Sequence, residues 1–354
     1  MRIIFAIDKT RFPYINQLCE KLEGKGIECF LVDDLSIYEK SIFSNKILKW
    51  VKKPKKFLKI IKEIKPDLIF TERTSHFASL SIDEKIPLII FLRGDIWKET
   101  EESQTESSSL KKIQISFKKN IMTKCFKNAQ LILPICDFLT NIVEEKFPDK
   151  KIRTLYQGIN EKEWFLTKNK KLEHPCVGLV QNANLWNKAQ EMLVLKDVLK
   201  KMPDVIFYWA GDGPYREKIL SELGKFENFK WLGALKYPDE VRDFLSEIDV
   251  YALISGLDMS PHSVLEAQLM KKPVIATDVG GIPELIKDKD TGFLVSKGNS
   301  QEIIEKITFL IDNKDEAEKI GEKASKVAVQ KFEWDVIAEK FIEILKENEL
   351  YNTH

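Results

Sequence analysis

The sequence has few of the features that mark secreted, membrane-spanning or nucleic-acid-binding proteins. Its 354 residues include five cysteines, an odd number without Cys-x-x-Cys spacing, which is typical of reduced thiols in the cytosol. With 56 basic and 55 acidic residues the net charge is +1, too small to attract a nucleic acid. No apolar run approaches the ~18 residues of a membrane span, and the initial apolar run meets Asp8 too early for a signal peptide. We therefore expect a cytoplasmic protein that binds no nucleic acid.

Motifs that would indicate a dinucleotide or a metal ion are also missing. Gly24 and Gly26 precede the second predicted strand instead of following the first, so they end a helix and do not cradle a pyrophosphate. Asp288 and Asp290 have Asp-x-Asp spacing, but they lie in a polar stretch before Gly292 that favours a surface turn. We accordingly predict no metal site and no cofactor.

Apolar strand patterns alternate with amphipathic stretches along the chain, which predicts α/β domains with parallel sheets. Residues 161–175 interrupt this alternation because they are charged and lack an apolar period. A chain of this length exceeds the size of most single cores, so we expect two domains. The predicted segments are an N-terminal domain (1–160), a linker (161–175), a C-terminal domain (176–330) and a C-terminal helix (331–354).

The stretch from Ser255 to Glu284 (SGLDMSPHSVLEAQLMKKPVIATDVGGIPE) predicts a loop, a helix, a strand and a glycine turn. Ser260 is the expected N-cap, with Pro261 in the first helical position. A helix N-terminus offers free N–H groups and positive partial charge, which favour a phosphate. Glu266 follows on the same helix, where its carboxylate can accept hydrogen bonds from sugar hydroxyls. The stretch therefore predicts a sugar-nucleotide site.

Polar residues at the ends of predicted strands add further candidates. Arg93 and Asp95 end the strand pattern of IPLIIFLRGDIW (86–97), at the edge of an open sheet where ligands bind. A purely structural ion pair between these two residues is the equally open alternative. The amide-rich stretch QNANLWN (181–187) follows another predicted strand and can hydrogen-bond a ligand.

The stretch from Lys46 to Lys62 (KILKWVKKPKKFLKIIK) carries eight lysines with Trp50 and Phe57 between them. Such a pattern is most often the solvated face of a helix broken at Pro54. Docking on an anionic membrane surface is the alternative.

The ordered series GDGP, WLG, LEA, KPVIATDVGGIPELI and TGFLV resembles the family 4, or group 1, glycosyltransferases, which have GT-B architecture. The resemblance is strongest over about residues 173–345. Two glutamates separated by seven residues mark the donor site of that family, and Asp258 and Glu266 keep this spacing with aspartate first. The resemblance implies two Rossmann-like domains facing across a cleft, with a C-terminal helix that crosses back to the first domain.

The resemblance also implies roles for individual residues. Glu266 would bind the ribose, and Asp258 would bind the transferred sugar and stabilise charge near the reacting carbon. Lys188 would face the phosphates, although the arginine usual after Val-Gly is replaced by Leu179. Arg93 takes the place of a family histidine and is a candidate substitute cation. The remaining candidates are the diphosphate-binding backbone around Ser260, His262 and Ser263, the base-binding segment Leu232, Gly233 and Ala234, and the neutral donors Gln181, Asn182 and Asn184.

The function implied is retaining, metal-independent transfer of a sugar from a nucleotide-sugar, most simply a UDP-sugar, to a glycan or lipid-linked acceptor. Such an enzyme would serve polysaccharide biosynthesis at the cytoplasmic face of the membrane. A noncatalytic sugar-nucleotide-binding protein is one alternative, since both the family arginine and the family histidine are absent. Another GT-B enzyme, such as a sugar-nucleotide epimerase or a phosphorylase, is the other.

Overall fold

The structure is a computed structural model that describes residues 1–37, 54–105, 109–169 and 171–351. Its contacts divide the chain into two compact units. Unit 1 comprises Met1–Gln157 and the C-terminal segment from Trp334, and unit 2 comprises Gly158–Glu333. Residues 161–175, predicted as a linker, lie within unit 2, where the Trp164 ring is buried and packs 6.0 Å from that of Tyr237.

Unit 1 is built on a parallel sheet whose five described strands have the order β2-β1-β3-β4-β5. Its strands are continuous apolar runs because helices cover both faces of a parallel sheet. In the first strand, for example, every residue after Arg2 is buried. The strands are β1 (Arg2–Ile7), β2 (Glu28–Asp33), β3 (Leu68–Glu72), β4 (Leu88–Leu92) and β5 (Leu131–Pro134). The helices are α1 (Phe12–Glu23), α2 (Lys55–Ile64), α3 (His76–Asp83), α4 (Ile96–Thr105), α5 (Ser109–Asn128), α6 (Asp137–Lys146) and, after unit 2, α14 (Trp334–Glu347).

Unit 2 has a second parallel sheet, with the order β11-β10-β9-β6-β7-β8 among its described strands. The strands are β6 (Cys176–Val180), β7 (Ile206–Ala210), β8 (Phe229–Gly233), β9 (Val250–Leu253), β10 (Val274–Thr277) and β11 (Phe293–Val295). The helices are α7 (Trp186–Ala189), α8 (Leu195–Lys201), α9 (Arg216–Leu223), α10 (Asp239–Glu247), α11 (His262–Leu269), α12 (Ser300–Asp312) and α13 (Lys314–Phe332). The predicted α/β class, with two domains on parallel sheets, is confirmed.

The C-terminal helix α14 packs on unit 1, as predicted. Lys21 on α1 pairs with Asp335 at 2.6 Å, and Lys25 beyond α1 pairs with Glu339 at 3.1 Å. The Phe341 ring is fully buried and meets the Phe70 ring edge-on, with 5.8 Å between centroids. The apolar face of α14 therefore belongs to the core of unit 1.

The basic stretch is only partly described, since residues 38–53 lie outside the described part of the chain. Within α2, Phe57 is fully buried and its ring packs 4.9 Å from that of Phe77. The lysines around it remain at the surface, where Lys59 and Glu63 form an exposed pair. Phe57 thus belongs to the core and contributes no exposed aromatic surface. Among the described helices, none combines the length and apolar character needed to cross a membrane.

Replacing Phe341 by alanine is expected to lower the free energy of unfolding by about 3–5 kcal/mol, because it removes buried apolar surface and leaves a cavity. Urea denaturation followed by circular dichroism measures this change. Val336→Ala, on the exposed side of the same helix, is the matched control and should change stability by less than about 0.5 kcal/mol. Equal losses for the two variants would contradict the packing of α14 on unit 1.

Candidate active site

The loop between β9 and α11 is fixed to its neighbours before the helix begins. The Ser255 N–H donates to Thr277 Oγ1 on β10 at 2.8 Å, and the Ser255 hydroxyl donates to the Leu257 carbonyl at 3.0 Å. Further along, the Asp258 carbonyl accepts from the Gly281 N–H at 2.9 Å, in the glycine turn after β10. The loop that carries Asp258 is therefore held by hydrogen bonds to β10 and to the glycine turn after it.

The expected cap of α11 is wrong by one residue. The N-cap is Pro261, in an extended conformation with φ −69° and ψ 116°, and no side chain caps the helix. Ser260 precedes a proline and is therefore biased away from helical geometry. The buried Ser260 Oγ has no hydrogen-bond partner within the described residues. No side chain caps the helix, so the positive end of its dipole at His262 and Ser263 can face an anion.

Ser263 anchors this helix end. Its hydroxyl accepts a 2.6 Å hydrogen bond from the hydroxyl of Tyr251, a fully buried residue of β9. Burial raises the pKa of Tyr251 above its usual value, so the phenol keeps its proton and remains the donor. The side chain of Ser263 is thus used structurally, while its backbone stays a candidate for phosphate binding.

Glu266 lies on the second turn of α11 with only 4% of its surface exposed. Burial raises the pKa of this carboxyl to about 8, and a hydrogen bond with Tyr237 opposes the shift only in part. The Glu163 carboxylate adds a small repulsion in the same direction as burial. Before a ligand arrives, the carboxyl is therefore mainly protonated near neutral pH. In that form it can both donate to and accept from a hydroxyl group.

Asp258 and Lys188 form an ion pair with 3.1 Å between Oδ1 and Nζ, and both side chains are partly exposed. Lys188 lies on the short helix α7, directly after the amide-rich stretch. The Lys188 carbonyl also accepts from the Gly256 N–H at 3.0 Å, so the two loops are joined through backbone as well. The structure thus brings one candidate cation and one candidate catalytic carboxylate together.

Two of the predicted amides make protein contacts. The Gln181 Nε2 donates to the Ile254 carbonyl at 3.0 Å, which ties the end of β6 to the end of β9. Its Oε1 is buried and has no hydrogen-bond partner within the described residues. Asn182 Oδ1 accepts from the Asp212 N–H at 3.3 Å, in the glycine-rich turn after β7. An unpaired buried acceptor costs about 1–3 kcal/mol, so a ligand group that donates to Gln181 would be stabilised there.

The segment Leu232, Gly233 and Ala234 lies at the carboxyl end of β8. Gly233 has φ +78°, and a Cβ placed on it would meet nothing within 4 Å, so the position is open. Its carbonyl accepts from the Gly211 N–H at 2.8 Å. Because β6, β7, β8, β9 and β10 are parallel, the loops that follow them lie along one edge of the sheet.

Comparison with known proteins identifies this region. Residues 162–327 match the family model described as glycosyl transferases group 1. Sulfoquinovosyl transferase SQD2 of Arabidopsis thaliana is 32% identical over 144 residues, which are 40% of this chain and 28% of that protein. Residues 162–327 form a group 1 glycosyltransferase domain. The chain spans less than two thirds of the length of the first curated relatives it matches.

Solved structures extend the likeness to nearly the whole chain. Sucrose-phosphate synthase from Thermosynechococcus elongatus has a TM-score of 0.75 and 16% identity, covering 98% of this chain and 99% of that one. Anabaena Alr3699/HepE in complex with UDP-glucose has a TM-score of 0.72 and 20% identity, covering 98% and 100%. The chain thus shares the fold of these two structures, and the predicted GT-B architecture is confirmed.

Arg93 and Asp95 lie outside the group 1 domain, in unit 1. The ion-pair partner of Arg93 is Glu72 at 3.2 Å, so the alternative of an Arg93–Asp95 pair is wrong. β3 and β4 are neighbours, which puts Glu72 and Arg93 side by side at their carboxyl ends. Asp95 instead accepts from the Lys98 N–H at 3.0 Å and so helps to begin α4.

The sequence analysis did not identify two residues that lie near the candidate site residues. Tyr237, the hydrogen-bond partner of Glu266, lies in the connection between β8 and α10, where no motif marks it. Asp34 follows β2 in unit 1, and burial together with the Asp33, Asp8 and Glu72 carboxylates raises its pKa to about 6. Its place at a strand end was the available signal, the same one that pointed to Arg93.

Gly280→Ala is expected to displace the Asp258 loop of the group 1 domain. Gly280 has φ +60°, and a Cβ at this position would lie 2.0 Å from the Asp258 carbonyl oxygen. The variant should therefore lose more stability than the ~1–2 kcal/mol of left-handed backbone strain alone. Gly298→Ala is the control, since Gly298 has φ +76° and open space around its Cβ position. Urea denaturation compares the two, and equal losses would contradict the close approach at Gly280.

The raised pKa of Glu266 predicts a pH-dependent stability. Its folded value lies above the unfolded one, so its stabilising contribution is present at low pH and is lost as pH rises toward about 8. The slope is at most about 1.4 kcal/mol per pH unit. Glu266→Gln removes this loss, and its free energy of unfolding relative to the wild type should therefore increase between pH 5 and 8. Glu305→Gln, an exposed carboxylate on α12, is the control. A difference for Glu266→Gln that does not change with pH would contradict a neutral buried carboxyl.

Proposed function

We propose that the chain is a retaining glycosyltransferase of family 4 that transfers a sugar from a nucleoside-diphosphate sugar to a glycan or lipid-linked acceptor. One observation carries the proposal. The Lys188–Asp258 ion pair lies beside the uncapped N-terminus of α11, and the same helix bears the buried carboxyl of Glu266. These are groups for a diphosphate, for the transferred sugar and for a ribose, and they occur in a group 1 domain.

The departure of the leaving group explains the roles of Lys188 and of the N-terminus of α11. A departing nucleoside diphosphate develops negative charge, which fixed N–H groups and a cation stabilise more in the transition state than in the ground state. Lys188 supplies the cation, and the N–H groups of His262 and Ser263 supply the donors. We further propose that the leaving phosphate takes the proton of the acceptor hydroxyl, so that no metal ion is needed.

Asp258 and Glu266 act on the sugar and the nucleoside. With Lys188 turned toward a diphosphate, the Asp258 carboxylate is released to bind hydroxyls of the transferred sugar and to stabilise positive charge at the reacting carbon. Glu266 exchanges its contact with Tyr237 for the ribose hydroxyls. Leu232, Gly233 and Ala234 receive the base through backbone groups. The Asn182 amide replaces the arginine absent after β6, because the Gln181 Nε2 already donates to the Ile254 carbonyl. A UDP-sugar is the donor that we propose, supported by the UDP-glucose bound in the similar Anabaena structure.

The acceptor side is proposed to involve the carboxyl edge of the unit 1 sheet. Arg93 would serve as the second cation for the leaving diphosphate. Asp95 would form part of the acceptor site. A lipid-linked acceptor also fits peripheral contact between the basic stretch from Lys46 to Lys62 and an anionic membrane at its cytoplasmic face. Transfer and donor hydrolysis both unchanged in Arg93→Ala would contradict the role of Arg93.

The test combines ligand binding with turnover. In a thermal-shift panel of UDP-, GDP- and ADP-sugars, a UDP-sugar at 100 times its Kd should stabilise the protein by about 2.7 kcal/mol. Lys188→Ala should reduce kcat for donor hydrolysis or transfer by roughly 10²–10³-fold, the size expected when one preorganised charge-stabilising group is removed. Lys196→Ala, a surface lysine of the same domain that pairs with Glu222, is the control.

Two results would contradict the proposal in different ways. Binding of nucleotide-sugars without hydrolysis or transfer to any acceptor would favour a noncatalytic sugar-nucleotide-binding protein. Activity that chelator abolishes and magnesium restores would contradict the metal-independent mechanism.

A further inference from the structure

A cluster of potential metal ligands lies at the edge of the unit 2 sheet opposite to the candidate active site. His174 precedes β6, Cys176 is its first residue, and Asp249 directly precedes β9. β6 and β9 are parallel neighbours with Val177 opposite Val250, so their amino ends lie side by side. One ligand atom from each of the three residues lies within 4.8 Å of the others. We propose that His174, Cys176 and Asp249 bind a zinc ion.

The distances within the cluster are close to those of a zinc site. His174 Nδ1 lies 3.7 Å from Cys176 Sγ and 2.8 Å from Asp249 Oδ2. Tetrahedral coordination, with Zn–N near 2.0–2.1 Å and Zn–S near 2.3 Å, puts two such ligand atoms about 3.4–3.6 Å apart. The nitrogen and sulfur are thus within about 0.3 Å of the required separation, and the partly exposed Asp249 carboxylate must move slightly away from its 2.8 Å contact with His174.

The surroundings of His174 resemble the outer partners of a metal-bound imidazole. With Nδ1 turned toward Cys176 and Asp249, Nε2 faces Glu247 Oε1 at 3.4 Å. A metal-binding histidine usually donates its second N–H to a carboxylate, which fixes the tautomer and the ring. The Cys176 N–H likewise donates to Asp249 Oδ2 at 2.8 Å and orients that carboxylate. Ligands and supporting contacts therefore occur together.

Charge and ligand type select the ion. A thiolate, an imidazole and a carboxylate form the mixed set typical of zinc, whereas calcium and magnesium prefer oxygen ligands alone. Lys272 lies near the cluster, with its Nζ donating to the Ser246 carbonyl at 2.8 Å. Its single positive charge is exceeded by the negative charges of the Asp249 and Glu247 carboxylates, so a divalent cation is favoured, and a bound zinc ion would displace the proton of the Cys176 thiol.

The exposure of the three residues determines how a zinc ion could reach the site. The Cys176 side chain is fully buried, but about 40% of the His174 and Asp249 side chains is exposed, so an ion can enter from solvent. A water molecule would complete the coordination on the open side. Because the site joins the amino ends of two central strands, we infer that zinc stabilises the fold of unit 2 and takes no part in turnover.

The experiment uses the full chain after treatment with chelator and dialysis. Equilibrium dialysis with Zn²⁺ should give one ion per chain, and Zn²⁺ should raise the melting temperature. Co²⁺ in place of Zn²⁺ should produce a thiolate-to-cobalt charge-transfer absorption. Cys176→Ser should abolish this band and lower the Zn²⁺ affinity at least tenfold. Cys29→Ser, a partly exposed cysteine of unit 1, is the matched control and should keep both.

A second pair of variants separates metal binding from a merely structural ion pair. Glu247→Gln should weaken Zn²⁺ binding by roughly 10–100-fold while the charge-transfer band is kept at saturation. Glu227→Gln, an exposed residue of the same unit, should leave the affinity unchanged. His174→Ala provides the ligand test at a half-exposed position if Cys176→Ser does not fold. Folded wild-type protein that binds no Zn²⁺, or a cobalt band that persists in Cys176→Ser, would overturn the proposal.

Discussion

The parallel pairing of β6 with β9 is the contact on which the arrangement of unit 2 depends. These strands are distant in sequence, yet Val177 lies opposite Val250 and Gly178 opposite Tyr251 at the centre of the sheet. The packing below them leaves no room for a side chain at Gly178, where a Cβ would come within 2.7 Å of Ile248. Each strand carries a loop at its carboxyl end, and the pairing brings those loops, with Lys188 and Asp258, within bonding distance.

The same pairing places a second set of residues together at the opposite edge. Cys176 is the first residue of β6, Asp249 directly precedes β9, and His174 completes that cluster. The two clusters therefore lie at opposite edges of the sheet, one strand length apart. The carboxyl edge holds the groups that suit a sugar nucleotide, and the amino edge holds the ligands that suit a metal ion. The residues at the carboxyl edge lie in partly exposed loops, whereas those at the amino edge lie at or directly before the first residue of a strand.

Burial gives the candidate active site its electrostatic character. Glu266 is one of the few carboxyl groups of the described chain that lie in the interior, and the cost of desolvating its charge keeps it mainly neutral. Asp258 differs because it is partly exposed and paired with Lys188. Two carboxyl groups eight positions apart thus have different surroundings, one buried and the other in a partly exposed ion pair, which suits the first to a neutral hydroxyl partner and the second to a developing positive charge.

Much of the fold could be predicted from the sequence, because buried parallel strands are continuous apolar runs bounded by turn residues. The helix and the strand predicted between Ser255 and Glu284, for example, are observed as α11 and β10. The spacing of Asp258 and Glu266 likewise reflects local chain geometry, a loop followed by a helix, which a sequence pattern records directly. The cap of α11 was misjudged by one residue because Ser260 and Pro261 both favour helix starts, and the choice between them depends on how the loop is fixed to β10.

Partners distant in the chain could not be predicted, because a sequence pattern does not record which strands become neighbours. Ordinary strand and loop patterns predicted neither the pairing of Arg93 with Glu72, nor the hydrogen bond between Glu266 and Tyr237, nor the approach of Asp249 to His174 and Cys176. The sequence by itself determined the elements, the group 1 motif series and the residues able to bind a sugar nucleotide. Only the tertiary structure decided the burial that raises the pKa of Glu266 and the contacts that each side chain makes, since both depend on the order of strands in the sheets.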